Sequence, residues 1–257
     1  MPERRLEIRM APETVSTLQR SGFVLYVFRA VRTSNPSARP LIWRKRDRYS
    51  ARTVLRWGAE LRAFTSFDGI LPGKEIFPGF DLPMAPGRTL RIGPGGIGEV
   101  VDDPGVLPTN RRSSYGFHQT DSISIRCGLA TPGQDRAEPF CAFELLPGFA
   151  EVVTRTEKVL SIFSSHELDP GTVVETLFDP GEAPGSGSGS VRSGVGPGLL
   201  LDLENRDQQV ARFDTESGWH SDDPDARPVA ATENLVPLLV EKPARGAGQR
   251  GGREPCP

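Results

Sequence analysis

The longest uninterrupted hydrophobic pattern lies at residues 23–31, where aromatic and β-branched residues follow one another closely. Successive side chains of a strand point to opposite faces. The two faces of this run would be Phe23, Leu25, Val27 and Arg29 on one side and Val24, Tyr26, Phe28 and Ala30 on the other. Both faces are mainly apolar, so the pattern predicts a strand that is buried on both sides.

Shorter apolar runs alternate with turn-forming residues along the rest of the chain. Pro-Gly pairs begin at positions 72, 78, 86, 94 and 104, and intervals this short admit strands and exclude most helices. The predicted strands are 41–45, 53–57, 61–67, 88–92, 122–127, 140–146, 149–153, 158–163, 199–203, 210–213 and a closing strand at 235–240. Residues 171–178 fit either a strand or a short helix.

One segment has the boundary residues of a helix. Residues 11–22 place Pro12 near the start, Glu13 in the first turn, Arg20 in the last turn and Gly22 just beyond it. Each of these residues favours the helix end at which it stands. The sequence therefore predicts one short N-terminal helix.

These patterns predict a mainly β protein, an antiparallel β-sandwich or a barrel-like fold. The 28 Gly and 24 Pro of the 257 residues agree with many short strands joined by turns. Residues 1–242 are interpreted as a single β domain. Within it, residues 180–198 have the Gly/Ser-rich composition of a flexible loop, and residues 243–257 that of a disordered tail.

The net charge of −2 conceals an uneven distribution. Residues 1–62 contain 14 Arg and Lys against 5 Asp and Glu, and the remainder contains 17 against 28. Such a distribution could steer a charged partner. We instead expect the two parts to neutralise each other in the fold, because strands distant in sequence are often neighbours in β topologies.

The cysteines and the N-terminus bear on the compartment. The first residues carry no apolar run typical of a secretory signal, which predicts a cytoplasmic protein. Cys127 and Cys141 flank a turn at 131–135, and pairing centred on residue 134 would bring them close. We expect free thiols, whereas a disulfide between them would indicate a secreted protein. Cys256 stands alone near the C-terminus.

The glycines at 93–98 match the G-x-G-x-x-G dinucleotide fingerprint. That motif requires a helix to follow, yet Pro104-Gly105 comes too soon for two helical turns. We therefore interpret this segment as a glycine-rich hairpin, and no cofactor is predicted.

His118, His166 and His220 are the only histidines and the weak catalytic candidates. His166 is accompanied by Glu167 and Asp169, which could orient its ring. No spacing among His and Cys fits a zinc site. Isolated histidines are common outside catalysis, so surface or hydrogen-bonding roles are the plainer interpretation.

Three carboxylates near the C-terminus are weak candidates for a hard cation: Asp222, Asp223 and Asp225. They lack the spaced ligands and the glycine of an EF-hand loop, and acidic loops with proline are ordinarily solvated. No metal site is predicted.

Residues 39–62 interleave basic and aromatic side chains in a way that suits single-stranded nucleic acid or an anionic surface. The weak binding candidates are Trp43, Arg44, Arg46, Tyr49 and Trp57, together with Trp219. Alternation along a strand would equally place the tryptophans in the core and the arginines in solvent, and we favour that interpretation.

No motif identifies a family or supplies a catalytic constellation, which leaves three functional hypotheses. The first is a non-enzymatic β-sandwich binding or interaction protein that uses loops at one end. The second is an enzyme whose site assembles only in three dimensions around a His and an Asp or Glu. The third is a membrane-active or carbohydrate-binding β protein, suggested by Trp43, Trp57 and Trp219. The sequence is compatible with a protein, a glycan or a lipid surface as the partner. It predicts no transmembrane segment and does not favour nucleic acid.

Overall fold

A computed structural model describes residues 3–107, 113–176 and 198–243. These residues form eighteen strands. In chain order they are β1 (Arg4–Arg9), β2 (Val24–Arg32), β3 (Arg39–Pro40), β4 (Arg44–Arg46), β5 (Arg52–Trp57), β6 (Leu61–Ser66), β7 (Phe80–Met84), β8 (Thr89–Ile92), β9 (Gly98–Val101), β10 (Ser114–Gln119), β11 (Ile125–Thr131), β12 (Glu138–Leu145), β13 (Ala150–Ser164), β14 (Gly198–Asp202), β15 (Gln208–Asp214), β16 (Gly218–Ser221), β17 (Arg227–Val229) and β18 (Val240–Glu241).

Two α-helices accompany these strands in the described part of the chain. Helix α1 (Pro12–Arg20) lies where the boundary residues predict it, and Gly22 beyond it has a φ of 71°. Helix α2 (Val236–Leu239) is a single turn. No described helix has both the length and the apolar character needed to cross a membrane.

The strands form three sheets. The first has the order β16-β15-β1-β5, and the third has the order β3-β12-β11-β6-β7. The second runs β17-β14-β13-β10-β8-β9, with β2 on the other edge of β13 and with β4 and β18 paired to β2. Most pairs are antiparallel, and the parallel exceptions among the described residues are β1–β15, β8–β10 and β2–β18.

One large core receives buried side chains from all three sheets. Leu6 and Ile8 enter it from β1, Leu25 and Val27 from β2, and Phe143 from β12. The other face of β2 contributes Tyr26, Phe28 and Ala30 to a second cluster beneath α2. The prediction that β2 is buried on both sides is therefore confirmed, as is the mainly β, sandwich or barrel-like fold class.

Several predicted strands differ from the observed ones. The strands predicted at 149–153 and 158–163 form one continuous strand, β13, which begins at Ala150 and whose register with β2 shifts between Arg155 and Val159. The shift leaves residues 156–158 opposite Ala30 alone, and the strand continues through it where the sequence suggests a break. The predicted strand at 41–45 is interrupted instead, because the chain passes there from the third sheet, at β3, to the second, at β4.

The prediction of a closing strand at 235–240 is wrong for most of these residues, because Val236–Leu239 form helix α2. Asn234 Oδ1 accepts the Val236 backbone N–H at 2.9 Å, and Pro237 lies at the start of α2. The Asn234 contact forms a turn before the helix, and proline is favoured in a first helical turn, so only Val240 and Glu241 extend as a strand. At the ambiguous segment 171–178, the described residues Thr172 and Val173 form isolated bridges.

The central hairpin of β11 and β12 is confirmed, but its predicted register is not. Cys127 pairs with Phe143, and Leu129 pairs with Cys141. A bulge after Leu129 displaces the two strands relative to simple centring on residue 134. Cys127 and Cys141 are both buried free thiols, which agrees with the expectation.

The glycine-rich segment is a hairpin, as interpreted. Strands β8 and β9 pair antiparallel across a 3-10 turn at Pro94–Gly96. Gly96 has a φ of 74°, and a Cβ there would lie 2.6 Å from Ile125 Cδ1, so the turn requires glycine at this position. The predicted flexible loop at 180–198, apart from Gly198 in β14, and the tail from residue 244 onward lie outside the described residues.

Candidate binding surfaces

The three histidines lie in different places. His118 is in β10 of the second sheet, His220 is in β16 of the first, and His166 follows β13. The structure therefore does not bring the three imidazoles together in one site.

His118 has a carboxylate neighbour. Its Nδ1 lies 3.5 Å from Asp103 Oδ2, an orientation that does not complete a hydrogen bond within the described residues. Burial acts to raise the pKa of Asp103, but His118, the Gly105 N–H and Arg91 outweigh it and lower that pKa below its ordinary value. The contact therefore places a carboxylate beside the imidazole without a hydrogen bond between them.

The acidic neighbours of His166 do not orient its ring. Lys45 Nζ lies 3.3 Å from Asp169 Oδ1 and 3.8 Å from Glu167 Oε1. The His166 carbonyl oxygen instead accepts the Tyr26 hydroxyl at 2.8 Å. Glu167 and Asp169 thus neutralise Lys45, which belongs to the basic N-terminal part of the chain.

The candidate cation ligands diverge. Asp222 pairs with Arg212 at 2.9 Å, whereas Asp223 is buried and pairs with Arg206 at 3.1 Å. Asp225 is exposed, and its backbone N–H donates to Asp223. Within the described ranges, no group of three His, Cys, Asp or Glu side chains could hold a metal ion.

The aromatic candidates of residues 39–62 belong to the core. Trp43 and Trp57 are 0% and 3% exposed, with ring centroids 5.8 Å apart, and Tyr49 is also buried. Trp219, the remaining aromatic candidate, stacks on Phe163. These side chains are therefore not available at the surface for stacking on a glycan or a base.

The basic candidates have different surroundings. Arg44 lies 4.1 Å over the Trp43 ring and pairs with Glu138 at 3.0 Å. Arg46 is exposed. The alternation that places the tryptophans in the core is confirmed, although Arg44 packs on Trp43 and does not extend into solvent.

A groove lies at one end of the β6, β8, β9, β11 and β12 strands. It consists of two adjoining cavities, of about 760 and 440 Å³, which share Ala59, Glu60 and Pro132. The larger cavity is lined mainly by apolar residues, among them Leu61, Met84 and Val100. Beneath the shared floor, Arg155 Nη1 donates to the Ala59 carbonyl oxygen at 3.0 Å.

The cations along this groove are neutralised. Arg62 forms an ion pair with Asp81, and Arg88 pairs with Asp102 at 2.9 Å. Neither cavity is lined by a histidine. The groove therefore offers an apolar surface with little net charge.

The opposite end of the same strands carries a cluster of exposed apolar side chains, which we call the apolar tip. They are exposed by 48–63% and stand in four turns: after β6, between β8 and β9, between β10 and β11, and between β12 and β13. The apolar tip comprises Phe67, Ile97, Ile123, Leu146 and Phe149.

Backbone and side-chain hydrogen bonds join the turns of the apolar tip. Thr65 Oγ1 donates to the Gly96 carbonyl at 2.6 Å, and the Thr120 N–H donates to the Ile92 carbonyl at 2.9 Å. Gln119 joins the turn between β12 and β13 to the turn between β10 and β11, because its N–H donates to the Phe149 carbonyl and its Nε2 to the Ile123 carbonyl. The five side chains therefore stand on one connected platform.

The sequence contains an indication of this surface, because large apolar residues stand within or beside turn-forming segments. Ile97 is flanked by glycines, Ile123 follows Asp121-Ser122, and Leu146 and Phe149 flank Pro147-Gly148. Large apolar residues within turn-forming segments are unusual, because such segments normally face water. The alternation at 122–127, for example, predicts Ile123 in a strand, whereas β11 begins at Ile125.

Comparison with known proteins gives no further assignment. No protein-family model, curated protein or solved structure matches the chain.

Proposed function

We propose that this protein is a non-enzymatic binding or interaction protein that contacts its partner through the loops of the apolar tip. The observation that carries the proposal is the concentration of half-exposed apolar side chains on four adjoining turns. Contiguous apolar surface of this kind marks interaction sites in soluble proteins. The scattered histidines favour a binding role over catalysis.

Chromatography on a phenyl-substituted matrix tests whether the apolar tip is the dominant apolar surface. Phe149→Asp and Ile97→Asp are each expected to shorten retention clearly, since a charge replaces an exposed apolar side chain. Leu71→Asp is the matched control, because Leu71 is 58% exposed but lies outside the apolar tip. Equal losses in all three variants would contradict the proposal.

The groove supports a second candidate function, the binding of a small apolar ligand. Its larger cavity, of about 760 Å³, falls within the size range of small-molecule sites. Met84 lines this cavity, whereas Met10 lies elsewhere in the core. In a methyl-labelled methionine NMR spectrum, titration with small apolar compounds should shift the Met84 signal and leave the Met10 signal in place. Uniform shifts or no shifts would contradict this candidate.

For the compartment, we propose the cytoplasm. The buried free thiols of Cys127 and Cys141 support a reducing environment.

A further inference from the structure

We propose that the partner of the apolar tip is the interface of a lipid bilayer, into which the five side chains insert while the strands remain outside. This inference rests on the proposed interaction role and names the partner. It follows from the shape, the area and the charge of the apolar tip.

The shape of the apolar tip suits a fluid partner. Its side chains project from four separate turns and do not line a cavity, since the groove lies at the other end of the strands. A protein partner would need a surface complementary to each projection. Lipid chains rearrange around projections, so a bilayer requires no such complementarity.

The exposed area is also small for a protein interface. The five exposures correspond to roughly 590 Å² in total, taking about 200 Å² for a fully exposed large apolar side chain. Each partner in a standard protein interface buries about 800 Å². By themselves the five side chains supply less than that area, and an apolar surface of this size can anchor a peripheral protein reversibly.

The charges nearby indicate which lipid surface fits. Arg91 and Arg126, on the strands leading to the apolar tip, lie 3.7 and 3.6 Å from the carboxylates of Glu99 and Glu144. Asp68 and Asp121 are carboxylates in the turns themselves. The described residues thus offer no basic patch for anionic lipid, and insertion into a zwitterionic bilayer is the mode expected.

Co-sedimentation with phosphatidylcholine vesicles tests the proposal. The full chain is expected to bind, and raising the salt concentration or adding phosphatidylserine should not strengthen binding. The double variant Ile97→Asp with Phe149→Asp should partition at least about tenfold more weakly, because two apolar anchors become charged. Leu71→Asp should bind within about twofold of the parent, since residues 71–76 bond to the Gly171 and Val173 backbone away from the apolar tip.

Two further measurements distinguish loss of membrane binding from loss of folding and test whether the apolar tip itself enters the bilayer. The three tryptophans are buried, so an unchanged emission spectrum shows that a variant is folded. In Phe149→Trp, brominated phosphatidylcholine should quench the added tryptophan and leave the buried three unaffected.

Each remaining outcome overturns the inference. No vesicle binding, binding only to phosphatidylserine vesicles, or an equal loss in Leu71→Asp would contradict a bilayer partner. A dimer that depends on the apolar tip, without vesicle binding, would identify a second copy as the partner. Phenyl retention that depends on the apolar tip without vesicle binding would leave the interaction role standing, whereas loss of both would reject both.

Discussion

The guanidinium of Arg29 lies inside the main core, 1% exposed. Its carbon Cζ is 5.0 Å from the Trp43 ring centroid and 4.8 Å from that of Phe140. Neither Nη1 nor Nη2 has a hydrogen-bond partner among the described residues, although Glu157 is near enough to act on it electrostatically. Burial lowers the pKa of Arg29 to about 10, so the side chain remains cationic at neutral pH.

We expect Arg29→Met to leave the free energy of unfolding unchanged or to raise it by about 1–3 kcal/mol, because an apolar side chain removes the desolvation of a buried cation. Glu157→Gln should lower it by about 3 kcal/mol, since Arg29 and Arg155 would lose the carboxylate near them. Urea titration measures both changes, with the exposed Arg46→Met as a control expected to shift by less than about 0.5 kcal/mol. A larger loss in Arg29→Met than in Glu157→Gln would show that Arg29 makes a required contact.

The two core thiols give a second prediction at the residue scale. Burial raises the pKa of Cys127 far above its usual range and that of Cys141 to about 12. Only the thiolate reacts readily, so neither thiol should react with a disulfide reagent in the folded protein at pH 8. In a Cys256→Ser background, denaturation without reductant should release two reactive thiols. Recovery of none, with a peptide linking Cys127 to Cys141, would establish a disulfide.

At the scale of elements, local sequence patterns predicted the helix, β2, β5, β6 and both hairpins. They missed β1, which pairs with β15 across about 200 residues of sequence, because its short Leu6 and Ile8 alternation is interrupted by charges. They also missed β7, β10, β16 and β17, which are short or carry Gly and Pro. The five side chains of the apolar tip come together only because of where each strand ends and how the strands are aligned with one another. The pattern of a single sequence does not determine either of these.

One face of the β1–β5 pair carries an ion cluster that tests the pairing of these two strands. Glu7 accepts hydrogen bonds from Arg52 at 2.9 Å and Arg9 at 2.7 Å, and these contacts lower its pKa from 4.5 to about 2. Because the pKa of Glu7 is lower in the folded protein than in the unfolded chain, its ionised form stabilises the fold at pH values above about 4.5. This contribution is lost as the pH falls towards 2.

Between pH 5 and pH 2, the urea midpoint of the parent protein should therefore fall more steeply than that of Glu7→Gln. The control is Glu3→Gln, which removes an exposed pair with Arg56 at 3.6 Å and should retain the slope of the parent. Parallel curves for the parent and Glu7→Gln would show that the cluster does not couple protonation to stability.

At the scale of the whole molecule, the basic N-terminal part and the acidic remainder neutralise each other. Arg4 pairs with Asp207 at 2.6 Å, Arg32 with Glu241 at 2.8 Å and Arg39 with Glu175 at 2.5 Å. Such pairs join β1, β2 and β3 to segments more than 100 residues away. Basic residues of 1–62 thus pair with acidic residues of the remainder, as the sequence predicts.

This neutralisation predicts that residues 39–62 do not bind nucleic acid. Arg44, Lys45 and Arg62 each have a carboxylate partner, and Trp43 and Trp57 are buried, so the exposed Arg46 and Arg48 have neither of these aromatic rings beside them at the surface. Fluorescence anisotropy with a single-stranded oligonucleotide at 100 mM salt should show no saturable binding. The variant Glu167→Gln with Asp169→Asn uncovers Lys45 and should increase any residual, salt-sensitive binding, because uncompensated cations attract phosphates. Saturable binding by the parent protein that weakens steeply with salt would contradict this prediction. It would mean that a polyanion replaces the carboxylate partners of these cations and that the basic residues of 39–62 take part in function.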